Sequence, residues 1–199
     1  MVRAAGRLPA EARRASLLDC ACTVFSTGSY RGTTTAELAA AAGVTEPILY
    51  RHFRSKRELY LACLDECWGR LRAAWETAIA DEPNAGLWVA SMGRTFVESE
   101  EHRPVISNLW VQALAEATED PVMADFMRGH MREVHSFIAG VIRRAQEAGG
   151  IPADRSADAE AWIFYSLGLL SMADRALGGV MEEDWPGIRD SRRRWLTGA

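Results

Sequence analysis

Side chains that can donate a hydrogen bond to a phosphate gather in one short stretch near the N-terminus. Thr33 and Thr34 supply hydroxyls beside the start of a predicted helix, whose free backbone N–H groups also attract anions. Tyr50 and His52 lie at the end of another predicted helix, and Lys56 lies at the start of the next one. A cation at a helix start is unfavourable for the helix dipole, but it is useful beside a phosphate. These residue types predict contacts with a nucleic-acid backbone.

Three short predicted helices would position these donors. The apolar spacing predicts a first helix from about Glu11 to Ser26. A second helix opens at Thr34, because Glu37 three residues later completes a capping box. Gly43 then breaks the pattern, and a third helix runs from about Thr45, as its cap, through Phe53.

The second and third helices have the spacing of a helix-turn-helix, since a glycine-containing tight turn joins them. The apolar residues expected to lock them against the first helix are Leu38, Ala39, Val44, Leu49 and Phe53. This arrangement leaves the N-terminal half of the third helix facing outward, where a recognition helix reads base edges.

The charge distribution agrees with one end of the chain meeting a polyanion. Residues 1–60 carry nine Lys and Arg against five Asp and Glu, whereas residues 61–199 carry a net charge of −8. The two counts in the basic segment are small, so chance is the competing interpretation. Charge alone does not decide between them.

Residues 13–60 closely resemble the TetR family of transcriptional regulators. The matching segments are Gly28–Ala39 (sequence GSYRGTTTAELA), Ala42–Thr45, Leu49–Phe53 and Ser55–Lys56. The resemblance implies a homodimer on a palindromic operator in double-stranded DNA, usually repressing until a ligand releases it. It also implies that the phosphate contacts are Thr34, Tyr50, His52 and Lys56. The groove-facing residues implied by motif position are Thr45, Glu46, Pro47 and Ile48.

Glu46 and Ile48 depart from the family pattern. The family more often has a basic or small polar residue at the first position, and Thr, Ser or Ala at the second. Glu46 would accept from a cytosine N4 amine, or it would only favour the helix N-terminus electrostatically, and the two interpretations have equal weight. Ile48 could contact a thymine methyl group. Both departures leave the operator sequence open.

The whole sequence predicts an all-α fold. A three-helix DNA-binding module with a helix-turn-helix is expected over residues 1–60, and a helical-bundle ligand-binding and dimerisation domain over residues 61–199. Helices are expected at residues 56–80, 86–99, 104–117, 121–148, 157–177 and 184–196, bounded mostly by Pro and Gly. The helix at 157–177 is apolar nearly all round in its middle, so it needs cover on both sides. We expect one side to face a partner subunit, through Phe164, Gly168, Ser171 and Arg175.

Aromatic and methionine side chains in the second domain could line a pocket for a small organic ligand. Most such stripes pack in a hydrophobic core without forming a pocket. The expectation of a pocket comes from the family resemblance. The candidate lining is Trp88, Met92, Phe96, Trp110, Leu114, Met123, Phe126, Met127 and His130.

Other classes of function find little support in the sequence. The four cysteines and four histidines do not have the spacing of a zinc site. No nucleotide-binding glycine loop and no catalytic arrangement is recognisable. We therefore expect no bound metal, no cofactor and no enzymatic activity. The N-terminus lacks the apolar core of a secretory signal and no apolar run could cross a bilayer, which predicts a cytoplasmic protein without membrane contact. The alternatives are a DNA-binding protein of the same fold without an effector, and, less favoured, a helical enzyme or interaction protein.

Overall fold

Helices make up the secondary structure throughout the described part of the chain. The computed structural model describes residues 10–99 and 102–198, in which no strand occurs. The helices are α1 (Ala10–Thr27), α2 (Thr35–Ala41), α3 (Glu46–His52), α4 (Lys56–Ala80), α5 (Trp88–Glu98), α6 (His102–Ala117), α7 (Pro121–Glu147), α8 (Ala157–Ala176) and α9 (Trp185–Thr197). A 3₁₀ turn, Ala85–Leu87, precedes α5. The all-α prediction is therefore confirmed, and the predicted helix boundaries agree within a few residues.

The chain divides into two compact units. The first unit contains the described residues up to Gly69 together with Pro104–Gln112, and the second contains Arg70–Arg103 and the chain from Ala113 onward. The first unit therefore continues past residue 60 along α4 and takes in half of α6. The boundary expected at residue 60 from the local pattern stays a prediction.

In the first unit, α1 packs against α2, and α2 packs against α3. The fully buried side chains of this unit include Phe25, Leu38, Phe53, Leu59 and Tyr60. Of the five residues expected to lock the helix-turn-helix, Val44 alone is only half-buried. Gly43 has φ +64°, a left-handed conformation that a glycine adopts without a Cβ clash, and it makes the turn between α2 and α3.

The second unit is centred on α7, which packs along α8 and against α5. One continuous stripe of α7 is buried, from Met123 through Val134 to Ala145. In contrast, α8 buries Ala157, Glu160 and Ala161 near its start, and its middle is mostly half-buried with some exposed residues. No helix among the described residues is long and apolar enough to span a membrane.

Candidate nucleic-acid interface

The start of α2 is capped as the sequence predicts. The Glu37 backbone N–H donates to the Thr34 hydroxyl over 3.2 Å, and the Thr34 backbone N–H donates to the Glu37 carboxylate over 2.7 Å. Hydrogen bonds from the Thr34 backbone and then from its hydroxyl lower the pKa of the Glu37 carboxyl from its ordinary value. The reciprocal bonds fix the loop-to-helix junction that leads into the helix-turn-helix.

The outer face of α3 is held in place by its buried inner face. Leu49 and Phe53 are 3% and 1% exposed, so the helix is anchored in the core of the first unit. Thr45 and Pro47 are exposed at its start, and Ile48 is half-buried. Thr45 occupies the N-cap position as expected, but its side chain makes no capping hydrogen bond. The predicted groove-facing residues thus lie together around one helix start.

Glu46 has a protein partner in α2 that its sequence position does not reveal. The Thr35 hydroxyl donates to the Glu46 carboxylate over 2.6 Å, and the Tyr50 hydroxyl donates to the Thr35 oxygen over 3.4 Å. This chain of bonds links the first turn of α2 to the first turn and the end of α3. Glu46 therefore links α2 to α3, in addition to any contact with a base or any effect on the helix dipole.

Lys56 anchors the loop between α1 and α2. Its ammonium donates to the Tyr30 carbonyl over 2.7 Å and to the Thr33 carbonyl over 3.0 Å, and it lies 4.7 Å from the centre of the Tyr30 ring. An ammonium has three N–H donors, so one remains for an anion. Thr33 itself is buried, with its hydroxyl turned toward Gly28, whereas Thr34 is exposed. Of the two threonines, Thr34 is thus the better placed for a phosphate.

Further arginines, which the sequence pattern did not distinguish, lie on α1 and near the end of α3 with exposed or half-buried side chains. Arg13 is half-buried and Arg14 exposed on α1, and the Arg14 guanidinium lies 4.7 Å from the centre of the Phe53 ring. Arg51 and Arg54 are exposed near the end of α3, beside the half-buried His52. The excess of Arg over acids in residues 1–60 was the available signal. It could not say which cations lie near α3.

Within the residues the structure describes, no group of three or more His, Cys, Asp or Glu side chains is arranged to hold a metal ion. The four cysteines are free thiols, and Cys22, Cys63 and Cys67 are buried. A hydrogen bond with Cys22 and burial raise the pKa of the Cys63 thiol far above its ordinary value. A thiol held in its protonated form is a poor nucleophile and a poor metal ligand.

The predicted pocket residues divide between the two units. Trp110 belongs to the first unit, and the other eight belong to the second. Met92, Met123 and Met127 are almost fully buried, whereas Leu114 is 39% exposed. The remaining members are buried or half-buried: Trp88, Phe96, Trp110, Phe126 and His130. Burial lowers the pKa of His130, against a smaller opposing effect of Glu133, and so favours the neutral imidazole.

The predicted dimer residues lie along a half-buried edge of α8. Phe164 contacts Trp75 of the same chain, with ring centres 5.8 Å apart in an edge-to-face arrangement. Gly168 and Ser171 are half-buried, and Arg175 is exposed. The exposed apolar residues of α8 lie on a neighbouring stripe, which includes Trp162 and Leu170.

Two family descriptions match the chain. Residues 17–63 match "Bacterial regulatory proteins, tetR family", and residues 85–168 match "BetI-type transcriptional repressor, C-terminal". The first covers the helix-turn-helix, and the second covers α5 to α7 and part of α8.

Characterised relatives give the same class of protein. The chain is 48% identical over 62 residues to the HTH-type transcriptional activator FasR of Mycolicibacterium smegmatis, a match that covers 31% of this chain and 28% of FasR. It is 28% identical over 151 residues to the HTH-type transcriptional repressor KstR2 of the same organism, covering 73% of this chain and 71% of KstR2. One relative is an activator and the other a repressor.

Solved structures share the fold over almost the whole chain. GusR of Salmonella enterica superposes with a TM-score of 0.78 at 18% identity, covering 96% of both chains. A regulator from Saccharomonospora viridis, solved in complex with choline, gives a TM-score of 0.70 at 21% identity, covering 94% of both chains. With the helix-turn-helix geometry and both family matches in agreement, this chain belongs to the TetR family of DNA-binding transcriptional regulators.

Proposed function

We propose that the chain is a homodimeric repressor that binds a palindromic operator and is released by a small organic ligand. The observation that carries the proposal is the exposed start of α3, held by the buried Leu49 and Phe53 so that Thr45 and Pro47 face outward. Base-edge readout needs such a rigidly mounted helix surface. The match to a BetI-type repressor over residues 85–168 supports repression, although FasR shows that a similar N-terminal module serves an activator.

In this proposal, residues 1–60 form the DNA-binding domain and residues 61–199 the ligand-binding and dimerisation domain of a cytoplasmic protein. Thr34, Tyr50, His52 and Lys56 contact phosphates, and the start of α3 contacts base edges. Thr33 contributes through its backbone carbonyl, which positions Lys56.

Selection of duplexes from a randomised library by the purified chain tests operator binding. We expect an inverted repeat whose half-sites are about one helical turn, or a small multiple of it, apart. Affinity for the selected duplex should fall linearly on a log–log plot against salt concentration. Enrichment of no sequence, together with no salt-dependent binding to any duplex, would reject the proposal in favour of a helical interaction protein or enzyme.

An exposed apolar face on α8 supports the homodimer. Trp162, Ser166, Leu170, Ala173 and Leu177 are all exposed and recur every three or four residues, so they share one face of the helix. Trp162, Leu170 and Leu177 are 43%, 40% and 73% exposed. An exposed apolar stripe of this length is typical of an interaction site, and a two-fold partner would present the same stripe.

Light scattering after size exclusion tests the dimer. We expect a mass twice that of the 22.0 kDa chain, and we expect Leu170→Arg to reduce it toward one chain. Val122→Arg is the matched control, because Val122 is an exposed apolar residue on α7 outside the stripe. A monomeric parent protein would contradict the proposal.

Choline is the first ligand to test. A structural neighbour is solved with choline bound, and aromatic side chains of the second unit could hold a quaternary ammonium by cation–π attraction. The centre of the Trp75 ring lies 6.0 Å from that of Phe137 and 5.8 Å from that of Phe164. Titration calorimetry measures binding, and release of the selected duplex measures its effect. Unchanged DNA binding at millimolar choline would reject choline as the effector and favour either another ligand or the version without one.

A further inference from the structure

The amide of Gln112 is bonded to three backbone groups around the end of α1. Its Nε2 donates to the Phe25 carbonyl over 3.1 Å and to the Gly28 carbonyl over 3.3 Å. Its Oε1 accepts from the Tyr30 N–H over 2.7 Å. One amide orientation satisfies all three groups, because the N–H needs an acceptor and the carbonyls need a donor.

These bonds connect distant parts of the chain within the first unit. Gln112 lies in the α6 segment Pro104–Gln112, more than 80 residues beyond the loop that it holds. The Phe25 carbonyl is one of the last four of α1, which have no partner inside the helix. The amide therefore caps α1 and at the same time fixes the loop that follows it.

Tyr30 is held on both sides of its backbone. Gln112 accepts from its N–H, and Lys56 donates to its carbonyl over 2.7 Å. Its ring lies 4.7 Å from the Lys56 ammonium and 4.8 Å from the buried Tyr60 ring. The position of the lysine ammonium thus depends on a residue whose backbone Gln112 fixes.

We propose that Gln112 is a positioning residue for DNA binding, which acts through Tyr30 to hold the Lys56 ammonium where it meets a phosphate. The proposal rests on the phosphate-binding role given to Lys56 above. Without the amide, Tyr30 and the loop from Gly28 to Thr33 lose an anchor, and the Lys56 ammonium loses its fixed acceptors. The lysine then has to be ordered when DNA binds, which weakens binding without removing any group that touches DNA.

A double-mutant cycle tests this coupling in the full-length chain. The probe is a fluorescein-labelled duplex of mixed sequence, because binding without sequence preference reports phosphate contacts directly. The variants are Gln112→Met, which keeps length but removes all three hydrogen bonds, Lys56→Met, and the two together. Gln112→Ala serves as a second substitution of different volume.

Lys56→Met should weaken binding roughly fivefold to tenfold and lower the salt-dependence slope by about one for each bound protomer. Gln112→Met should do the same, although it removes no charge. In the Lys56→Met background, Gln112→Met should change affinity less than about twofold, because residues acting on the same contact are not additive.

Asn108→Ala is the matched control. Asn108 lies one turn earlier on α6 and donates to the Ser26 carbonyl over 2.9 Å, so it caps α1 without holding the loop. Its loss should leave the salt slope unchanged. Hydrogen exchange of the Tyr30 amide should speed up in Gln112→Met and stay slow in Asn108→Ala.

The outcomes distinguish failure of DNA binding from failure of the Gln112–Lys56 coupling. If the parent protein shows no salt-dependent duplex binding, the proposed function and this inference both fail. If the parent protein binds but Gln112→Met and Gln112→Ala bind equally well, or if their effects add to that of Lys56→Met, the inference alone is overturned. An equal loss of slope in Asn108→Ala would also overturn it, because general loosening of α1 would then explain the result.

Discussion

The carboxylate of Glu46 accepts a 2.6 Å hydrogen bond from the hydroxyl of Thr35, which joins the first turn of α3 to the first turn of α2. The two residues are eleven positions apart and lie on either side of the turn made by Gly43. In the proposed function α3 is the recognition helix, so an acid at its start would be restrained before DNA binds. A restrained acceptor favours a base with an amine at its edge, such as cytosine, more than a freely moving one does.

Glu46→Gln is expected to change which bases are selected. The amide oxygen can still accept from Thr35, but the side chain gains donors and loses its charge, so discrimination in favour of cytosine or adenine amines weakens. Sequences selected from a randomised library should show a weaker base preference at one or two symmetric positions of the operator. The slope of affinity against salt concentration should change little. Thr35→Val removes the hydroxyl that restrains the Glu46 carboxylate but leaves the carboxylate itself in place. It should lower the base preference at the same positions.

Ile48→Ala should alter sequence preference and leave affinity for mixed duplex nearly unchanged. Ile48 is half-buried beside the exposed Pro47, where an apolar side chain can contact a thymine methyl. Tyr50→Phe is the contrasting variant, because the Tyr50 hydroxyl, which donates to Thr35 over 3.4 Å in the free chain, is expected to turn to a phosphate when DNA binds. It should weaken binding to all duplexes and leave the salt slope nearly unchanged, since the hydroxyl carries no charge. Graded-salt gel shifts with both variants measure this, and equal behaviour of the two would contradict the division into base and phosphate contacts.

The capping box of α2 should make a pH-dependent contribution to the free energy of unfolding. The pKa of the Glu37 carboxyl is lowered in the folded chain, first by the Thr34 backbone N–H and then by the Thr34 hydroxyl. A lowered folded-state pKa means that this contribution is present above the unfolded value of about 4.3 and is lost as the pH falls through the folded value. Urea unfolding between pH 3 and pH 7 measures it.

Glu37→Gln is the control for that pH dependence, since an amide can still accept from the Thr34 N–H but does not titrate in this range. The variant should have a flatter stability profile below about pH 4.5. Thr34→Ala should cost about 1 kcal/mol at neutral pH, because it removes the N-cap acceptor. A steeper acid profile in Glu37→Gln than in the parent would contradict the assignment.

Local features of the first unit follow from sequence because their partners are close in the chain. Thr34 and Glu37 are three residues apart, and Gly43 lies directly between two periodic segments, so the capping box and the turn were both predicted. Gln112 could not be connected to Tyr30 in this way, since the contact joins residues 82 positions apart. The same reason explains why half of α6 falls in the first unit although its sequence looks like any other helix of the second.

The face of α8 that packs inward was harder to predict than the helix itself. Its middle is apolar nearly all round, so hydrophobic spacing does not distinguish the stripe containing Phe164 from the stripe containing Trp162. In the structure, the half-buried Phe164 ring contacts Trp75 of the same chain, and its predicted place in a dimer interface stays a prediction. For Lys56, the sequence predicts a cation beside a phosphate. It does not predict the two backbone carbonyls to which the ammonium donates, because they lie in a loop more than twenty residues away.

Two glycines of the second unit should respond in opposite ways to the same substitution. A Cβ at Gly150 would overlap the Gly86 backbone nitrogen and the Ala85 carbonyl carbon, so the loop after α7 can approach the 3₁₀ turn only because this side chain is absent. Gly150→Ala should therefore destabilise the protein by about 1–3 kcal/mol, since backbone has to move. Gly140 lies inside α7 with nothing within 4 Å of its added Cβ, so Gly140→Ala should stabilise by roughly 0.5–1 kcal/mol through helix propensity. Urea unfolding of both variants checks the pair; a Gly150→Ala protein as stable as the parent would mean that the close approach of the two segments does not persist in solution.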